Sequence, residues 1–264
     1  MIEIDGLGFL YNGHKVLDEI SFQIEKGTIC GLVGPNGSGK TTLLKCCSGS
    51  LKYPKGSLMI GGKEVSSLRA IDLARLVSYV PQSHKPPFPF MTKEVVLMGR
   101  NPHLNTFIGP NDQDLNRTSE ALRMLRILDL ADRPYTMLSG GQRQLVILAR
   151  ALNQETPVLL LDEPASALDF KNQINLWMIL RSLAKMGKTI LACTHDPNHI
   201  SWFCDQSVVI CDGRIIAFGP PEKSLSFEVM KRLYGEMCTV NVCQGKNIVM
   251  PSERALWIDK IIED

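Results

Sequence analysis

The chain has 264 residues, with 29 lysines and arginines against 27 acids, 44% hydrophobic and 21% charged positions, the make-up of a globular chain with one large domain or two small ones. A net charge of +2 gives no field that would draw nucleic acid or an anionic membrane surface. No apolar run reaches the roughly 18 residues of a membrane span, and the opening MIEIDGLGF lacks the basic-then-apolar layout of a signal peptide.

In chain order, residues 2–33 alternate apolar and polar positions between turn signals at Asn12-Gly13 and Lys26-Gly27, which predicts strands ending in the buried run TICGLV, 28–33. A glycine-rich turn and a helix from Lys40 to about Ser48 come next. Residues 56–80 read as further strand around Gly61-Gly62, with a helix near Arg69–Leu76. From 83 to 110, prolines at 86, 87, 89, 102 and 110 interrupt helix-like pieces such as Lys93–Gly99. Leu115, Leu122, Leu125, Leu128 and Leu130 are spaced mostly as one helical face over 112–130. A helix is expected over Gln144–Leu152, then a central strand in VLLLD (158–162), a helix over 171–186, and strands in TILACTH (189–195) and SVVICDG (207–213). Strand and helix alternating in this way predict an α/β fold with a parallel sheet between helices, into which the block at about 84–150 is inserted.

Two stretches carry chemistry. GPNGSGKT (Gly34, Pro35, Asn36, Gly37, Ser38, Gly39, Lys40, Thr41) matches G-x-x-x-x-G-K-[ST] between a predicted strand and a helix. Its glycines let backbone amides turn toward phosphate oxygens at a helix N-terminus. Lys40 then reaches the β- and γ-phosphates, and the Thr41 hydroxyl ligates Mg²⁺. In VLLLDEPASALD, two acids end a buried strand, where open α/β sheets bind ligands. Asp162 suits the Mg²⁺ shell, and Glu163 suits a base that takes a proton from attacking water.

A third stretch, TMLSGGQRQL (136–145), poses a question. Ser139 and Gln142 have capping-box spacing, yet Gly140 and Gly141 between them are poor helix formers, and no lysine or arginine precedes them to hold an anion. Something is expected to approach that backbone closely. The eight cysteines (30, 46, 47, 193, 204, 211, 238, 243) form no CxxC pair and read as reduced, mostly buried thiols, with a Cys238–Cys243 bridge as the alternative.

Taken together and in this order, GPNGSGKT, Gln82 in YVPQ, LSGGQ, VLLLDEP, SALD and His195 in CTHD resemble the nucleotide-binding subunit of an ATP-binding-cassette (ABC) transporter over about residues 2–235. The resemblance implies a P-loop NTPase (RecA-like) core with an inserted helical subdomain and an antiparallel β subdomain. It divides the chain into an ATPase domain at 1–235 (core about 1–83 and 151–235, helical signature subdomain about 84–150) and a C-terminal tail at 236–264. It implies that Tyr11 stacks on adenine, that Gly34–Thr42, Thr42 included, hold the nucleotide, and that Gln82 senses Mg²⁺ and the attacking water. His195 is then the switch histidine on the γ-phosphate. Ser139, Gly140, Gly141, Gln142 and Asp169 serve the nucleotide of a second copy, so the missing cation of LSGGQ is supplied by the other subunit's Lys40 and Mg²⁺. The implied cofactors are ATP and Mg²⁺. The implied partners are a second ATPase subunit, two membrane permease subunits and a substrate-binding protein, at the cytoplasmic face of the cell membrane.

VLMGRNPH (96–103) and HDPN (195–198) further resemble the GR-x-PH and H-D-L-N stretches of ATPases serving importers of iron-siderophore, haem, cobalamin and related metal chelates. Pro197, Ala165 and Lys93 depart from that pattern without touching a catalytic group. As bare residues, GRNPH is a polar loop between helices. A molybdate or tungstate importer, a soluble cassette ATPase acting on ribosomes or DNA, and an exporter or regulatory cassette remain alternatives. For the tail, TVNV and NIVM around Gln244-Gly245 predict a hairpin, and ALWIDKII a short amphipathic helix.

Overall fold

The structure, a computed structural model, describes residues 1–82, 89–104 and 109–253. The ALWIDKII stretch and Pro86 and Pro87 lie outside the described residues. The chain opens with β1 (Ile2–Tyr11) and β2 (His14–Ile24), joined at Asn12-Gly13, where both residues take positive φ (48° and 83°) as a two-residue hairpin turn requires. Then follow β3 (Ile29–Val33), α1 (Lys40–Cys47), β4 (Lys55–Ile60), β5 (Lys63–Glu64), α2 (Ala70–Ala74) and β6 (Val77–Val80). The inserted stretch supplies α3 (Thr92–Leu97), a 3-10 segment at Met98–His103, α4 (Asp112–Met124) and α5 (Gly140–Asn153). Afterwards come β7 (Val158–Asp162), α6 (Phe170–Lys185), β8 (Thr189–Cys193), α7 (Pro197–Phe203), β9 (Gln206–Cys211), β10 (Arg214–Gly219), α8 (Pro221–Ser224), α9 (Phe227–Tyr234), β11 (Cys238–Cys243) and β12 (Lys246–Pro251).

The six-stranded sheet has the order β10-β9-β3-β8-β7-β6, parallel throughout except that β10 runs antiparallel to β9. A four-stranded antiparallel sheet, β2-β1-β4-β5, stands beside it. Every residue of β3, β7 and β8 is buried, as expected of parallel strands covered on both faces. Their side chains alternate between two cores. Val33, Leu159, Leu161, Ile190 and Ala192 face the helices of the inserted block together with α6 and α7. Leu32, Leu160, Leu191 and Cys193 face α1 and the antiparallel sheet. A loop that leaves β3 therefore emerges between two packed layers, on a base that cannot shift without disturbing both.

Three expectations change. The leucines of 112–130 do not share one helix: α4 stops at Met124, Arg126 takes φ +58°, and a 3-10 turn carries Leu128–Leu130. Leu115 and Leu128 accordingly face solvent while Leu122, Leu125 and Leu130 are buried. The helix expected at Gln144–Leu152 starts four residues earlier, because its first turn is held by a cap rather than by apolar periodicity. The Cys238–Cys243 alternative fails: the two thiols sit at opposite ends of β11, about 17 Å apart at strand rise, far beyond the about 7 Å that a disulfide tolerates. All eight cysteines are free, and six are buried. The hairpin does form, with Gln244 and Gly245 at φ 50° and 73°.

Candidate functional site

Four adjacent strands, β3, β8, β7 and β6, end at one edge of the sheet, and each delivers a candidate group there. β3 leads into the Gly34–Thr41 loop and α1. Gly34 has room for no side chain, since a Cβ would lie 2.0 Å from the Ile210 carbonyl oxygen. That oxygen belongs to β9, so the loop is set hard against the neighbouring strand. Gly39, at φ +103°, turns the chain into the helix, and Asn36 and Gly37 arch outward. Lys40, only 7% exposed, donates from Nζ to the Gly34 and Pro35 carbonyl oxygens at 2.8 Å each. The buried Ser38 hydroxyl has no partner. An orphaned donor inside a loop of inward amides suits an anionic oxygen, because leaving it unmet costs about 1–3 kcal/mol. Asn36, Gly37, Gly39, Lys40 and Thr41 of the loop, with Val16, Thr42, Gln82 and Glu163, line a cleft of about 460 Å³.

β7 ends in the acids. Asp162 is 2% exposed, lies beside the Thr41 hydroxyl and accepts, at 3.3 Å, from the Tyr79 hydroxyl. Burial raises its pKa above the usual carboxylate range. The hydrogen bonds from Thr41 and Tyr79 oppose that rise, and the Glu163 charge adds to it. A buried carboxylate beside a threonine oxygen, at the foot of a phosphate loop, is a hard-oxygen donor set of the kind Mg²⁺ takes when phosphates and water fill its other positions. Among the described residues no group of three or more His, Cys, Asp or Glu is placed to hold a metal by protein ligands alone.

Glu163 adopts φ +51°, the left-handed region, which a non-glycine residue occupies at about 1–2 kcal/mol. The turn is held by Glu163 N donating to the Cys193 carbonyl at 3.1 Å, and by the Ser166 amide and hydroxyl donating to the Glu163 carbonyl at 3.2 and 3.0 Å. The side chain is thereby aimed at Gln82, whose Nε2 donates to Oε2 at 2.8 Å. β8 brings His195 to the same carboxylate, with Nδ1 3.6 Å from Oε2 and a side chain 64% exposed. Its neighbours are fixed: Asp196 N donates to the Thr194 hydroxyl, and the Asp196 carboxylate caps α7 by accepting from Asn198 N. Pro197 begins that helix, where its missing N–H costs nothing. Ala165 is buried, and Lys93 pairs with Asp132 on the surface.

Tyr11 lies at the exposed tip of the β1–β2 hairpin, edge-on to Phe9, and the returning strand places Val16 against the phosphate loop. The five signature-side residues lie elsewhere, and none of them lines the cleft. Ser139 and Gln142 do make a capping box at α5, with Gln142 N donating to the Ser139 hydroxyl at 3.2 Å and Ser139 N to the Gln142 amide oxygen at 3.0 Å. Asp169 caps α6 by accepting from Asn172 N at 2.8 Å. The two glycines separate. A Cβ on Gly141 would meet the Ala167 carbonyl oxygen at 3.0 Å, so the stretch before α6 explains it; a Cβ on Gly140 would meet nothing within 4 Å. Sequence reasoning missed Tyr79, Val16 and Cys193. Tyr79 alone had a signal, three residues before Gln82 on the strand that delivers it.

Phosphate loop, acids, glutamine and histidine on adjacent strand ends define a P-loop ATPase of the cassette type. A model of the ABC transporter family matches residues 17–166. The hemin import ATP-binding protein HmuV of Rhodococcus jostii (strain RHA1) is 36% identical over 252 residues, 95% of this chain and 86% of that protein. Among solved structures, a chain described as of a metal-chelate type ABC transporter, in an inward-facing conformation, superposes with a TM-score of 0.83 at 30% identity, covering 97% of this chain and 98% of that one. A dimeric, post-hydrolysis ATP-binding cassette with ADP and Pi bound gives 0.75 at 25% identity, covering 84% and 99%. The chain belongs to the ABC transporter family and is an ATP-binding, ATP-hydrolysing cassette. No described helix is long and apolar enough to cross a membrane.

Proposed function

We propose that the chain is the ATPase subunit of a metal-chelate importer, of the iron-siderophore, haem or cobalamin class, and works as a homodimer. Two permease subunits and a substrate-binding protein acting through them complete the machine, with this chain at the cytoplasmic membrane face. Its cassette spans 1–235, with the helical signature part at about 84–150, and 236–264 form a tail. The observation that carries the reading is the convergence of Gln82 and His195 on one oxygen of Glu163 at the mouth of the phosphate loop. The relatives supply the cargo class, and the cassette solved as a dimer supports the pairing.

In this reading the Gly34–Thr42 loop binds the phosphates, and Lys40 leaves the Gly34 and Pro35 carbonyls to meet the γ-phosphate. Thr41 and Asp162 would hold Mg²⁺, with Gln82 as a further contact. When bound, Mg²⁺ would neutralise the negative charge that builds up on the phosphates during transfer. Glu163 accepts the proton of the attacking water, oriented by Gln82, and His195 donates toward the γ-phosphate. Tyr11 covers the adenine. Ser139, Gly140, Gly141, Gln142 and Asp169 close on the nucleotide of the second copy, about a two-fold axis.

Glu163→Gln tests the assignment. The variant binds ATP, turns it over at least about a hundredfold more slowly, and accumulates as a dimer in sedimentation; near-normal hydrolysis removes Glu163 from its role. Co-purification with a polytopic membrane protein, rather than with ribosomes, tests the transport half.

A further inference from the structure

GRNPH (Gly99–His103), the stretch that carries the resemblance to chelate importers, forms the end of a 3-10 turn between α3 and α4 and is tied into the molecule by its own bonds. Arg100 is buried, its side chain 4% exposed. Its Nε donates to Asp114 Oδ1 at 2.9 Å, in the first turn of α4. Its Nη1 donates to the Asn153 carbonyl oxygen, at the last residue of α5, and to Glu155 Oε2, each at 2.9 Å. Arg117 pairs with the same Glu155 carboxylate. His103 Nε2 lies 2.9 Å from the Gln154 carbonyl oxygen, so two residues of the stretch meet the final carbonyls of α5, where the Arg100 cation complements the helix dipole. Gly99 lets the backbones touch, since a Cβ there would sit 2.2 Å from the Arg150 carbonyl oxygen. On the core side, Arg75 Nε donates to the Pro102 carbonyl at 2.9 Å, and Gln154 Nε2 donates to the Ala74 and Val77 carbonyls at 2.6 and 2.9 Å.

We propose that this stretch is the anchor that fixes the angle of the signature helix, with Arg100 as its positioning residue. A buried ion pair is seldom the cheapest way to stabilise a fold. A rigid guanidinium fork instead fixes direction, because its bonds lie in one plane. The anchor grips the C-terminal end of α5, and Ser139 and Gly140 stand at the other. Across 14 residues the lever is about 21 Å long, so a swing of about 10° displaces the signature end by about 4 Å. Misplacements of about 1 Å already cost of order a hundredfold in rate at an active site. The anchor touches the same chain's phosphate loop nowhere. Its loss therefore falls on the nucleotide held by the second copy, an inference that rests on the in-trans reading above.

The test uses the full chain in a Glu163→Gln background. Arg100→Met is compared with its parent for binding of a fluorescent ATP analogue by monomer, for ATP-driven dimerisation by sedimentation, and for melting. Monomer affinity is expected within twofold of the parent while the dimerisation constant falls at least tenfold, and Arg100→Lys, which keeps the charge on a single nitrogen but loses the planar fork, recovers part of it. Leu58→Ala, a core substitution in β4, serves as a control of comparable melting loss and dimerises like the parent. Parental dimerisation by Arg100→Met, or a parallel loss of monomer affinity, overturns the proposal. If Arg100→Met does not fold, Arg100→Lys carries the same comparison. Failure of the Glu163→Gln parent itself to dimerise is a different result, and it overturns the in-trans reading.

Discussion

Gly140→Ala separates what the helix needs from what a partner needs. Gly140 is the first residue of α5, its φ lies outside the left-handed region, and a Cβ there meets no atom of its own chain within 4 Å. Alanine in a helix is favoured over glycine by up to about 1 kcal/mol, and the unfolded chain loses freedom as well. At the first helical position about half of that gain is expected, or a melting temperature higher by on the order of 1–2 °C for a chain of this size. Scanning calorimetry reads that rise. Nucleotide titration of the monomer reads an unchanged affinity, since Gly140 does not line the phosphate-loop cleft. Phosphate release at saturating ATP is expected to fall at least tenfold, because on the proposed in-trans reading the new methyl would stand where the second copy's γ-phosphate closes. Stabilisation with loss of turnover is an uncommon pairing that no packing defect produces. A variant that melts higher and hydrolyses at the parent's rate refutes the argument, since nothing then approaches that backbone. A variant that melts lower refutes the cap geometry instead. Gly141→Ala is the contrast: its Cβ meets the Ala167 carbonyl at 3.0 Å, so it is expected to melt lower.

Ser38→Ala removes a buried hydroxyl that has no partner, so melting stays level or rises slightly while ATP affinity falls by about three- to tenfold, one hydrogen bond's worth; unchanged affinity in a titration removes Ser38 from the phosphate site. Asp162→Asn is expected to raise the melting temperature measured without nucleotide and to abolish Mg²⁺-dependent turnover. The sign follows from the raised pKa of Asp162. The folded state holds that proton more tightly than the unfolded chain, so stability falls as pH rises from the unfolded value of 3.8 through the folded one and stays lower above it. The stability gain of Asp162→Asn over the parent therefore grows with pH across that window and levels off above it; a gain that shrinks instead contradicts burial as the cause. Gly34→Ala cannot be accommodated, with its Cβ 2.0 Å from backbone, and should lose nucleotide binding and melting temperature together; normal binding in a titration would show that the loop does not lie against β9.

What the sequence made legible was set by how local the physics is. The strands through β3 and the burial of VLLLD follow from alternation and from apolar runs, which are properties of neighbours. Ser139 with Gln142 announced the cap of α5 because both partners lie within one turn. The first turn of that helix, polar and rich in glycine, carries no apolar period, so its start at Gly140 followed from the cap alone. Leucine spacing failed over 112–130 because a single left-handed residue, Arg126, ends the helix, and nothing in arginine announces that. β10 and the helices after it are short and of mixed composition, and the sequence-based expectations pass over them. The order of site motifs was legible; the bond from Gln82 to Glu163, 81 residues apart, is a product of strand order β7-β6 and had no local trace. Nor did the strain at Glu163, which the β8 carbonyl and Ser166 impose.

The GRNPH stretch shows why cargo is harder to read than catalysis from such a chain. Four of its five residues are accounted for inside the molecule: Gly99 by close approach to Arg150, Arg100 and His103 by the end of α5, Pro102 by Arg75. Asn101 and His103 keep exposed surface, but the groups that fix the stretch are engaged inside the molecule. If such a stretch accompanies one class of importer, the physical reason lies in the helix angle it sets and not in contact with what is carried. In the proposed mechanism the catalytic edge is no different, since Lys40, Asp162 and Glu163 would answer to phosphate, Mg²⁺ and water alone. Exchanging cargo therefore requires no change at the strand ends, whereas disturbing Arg100 is expected to slow ATP turnover whatever is being transported.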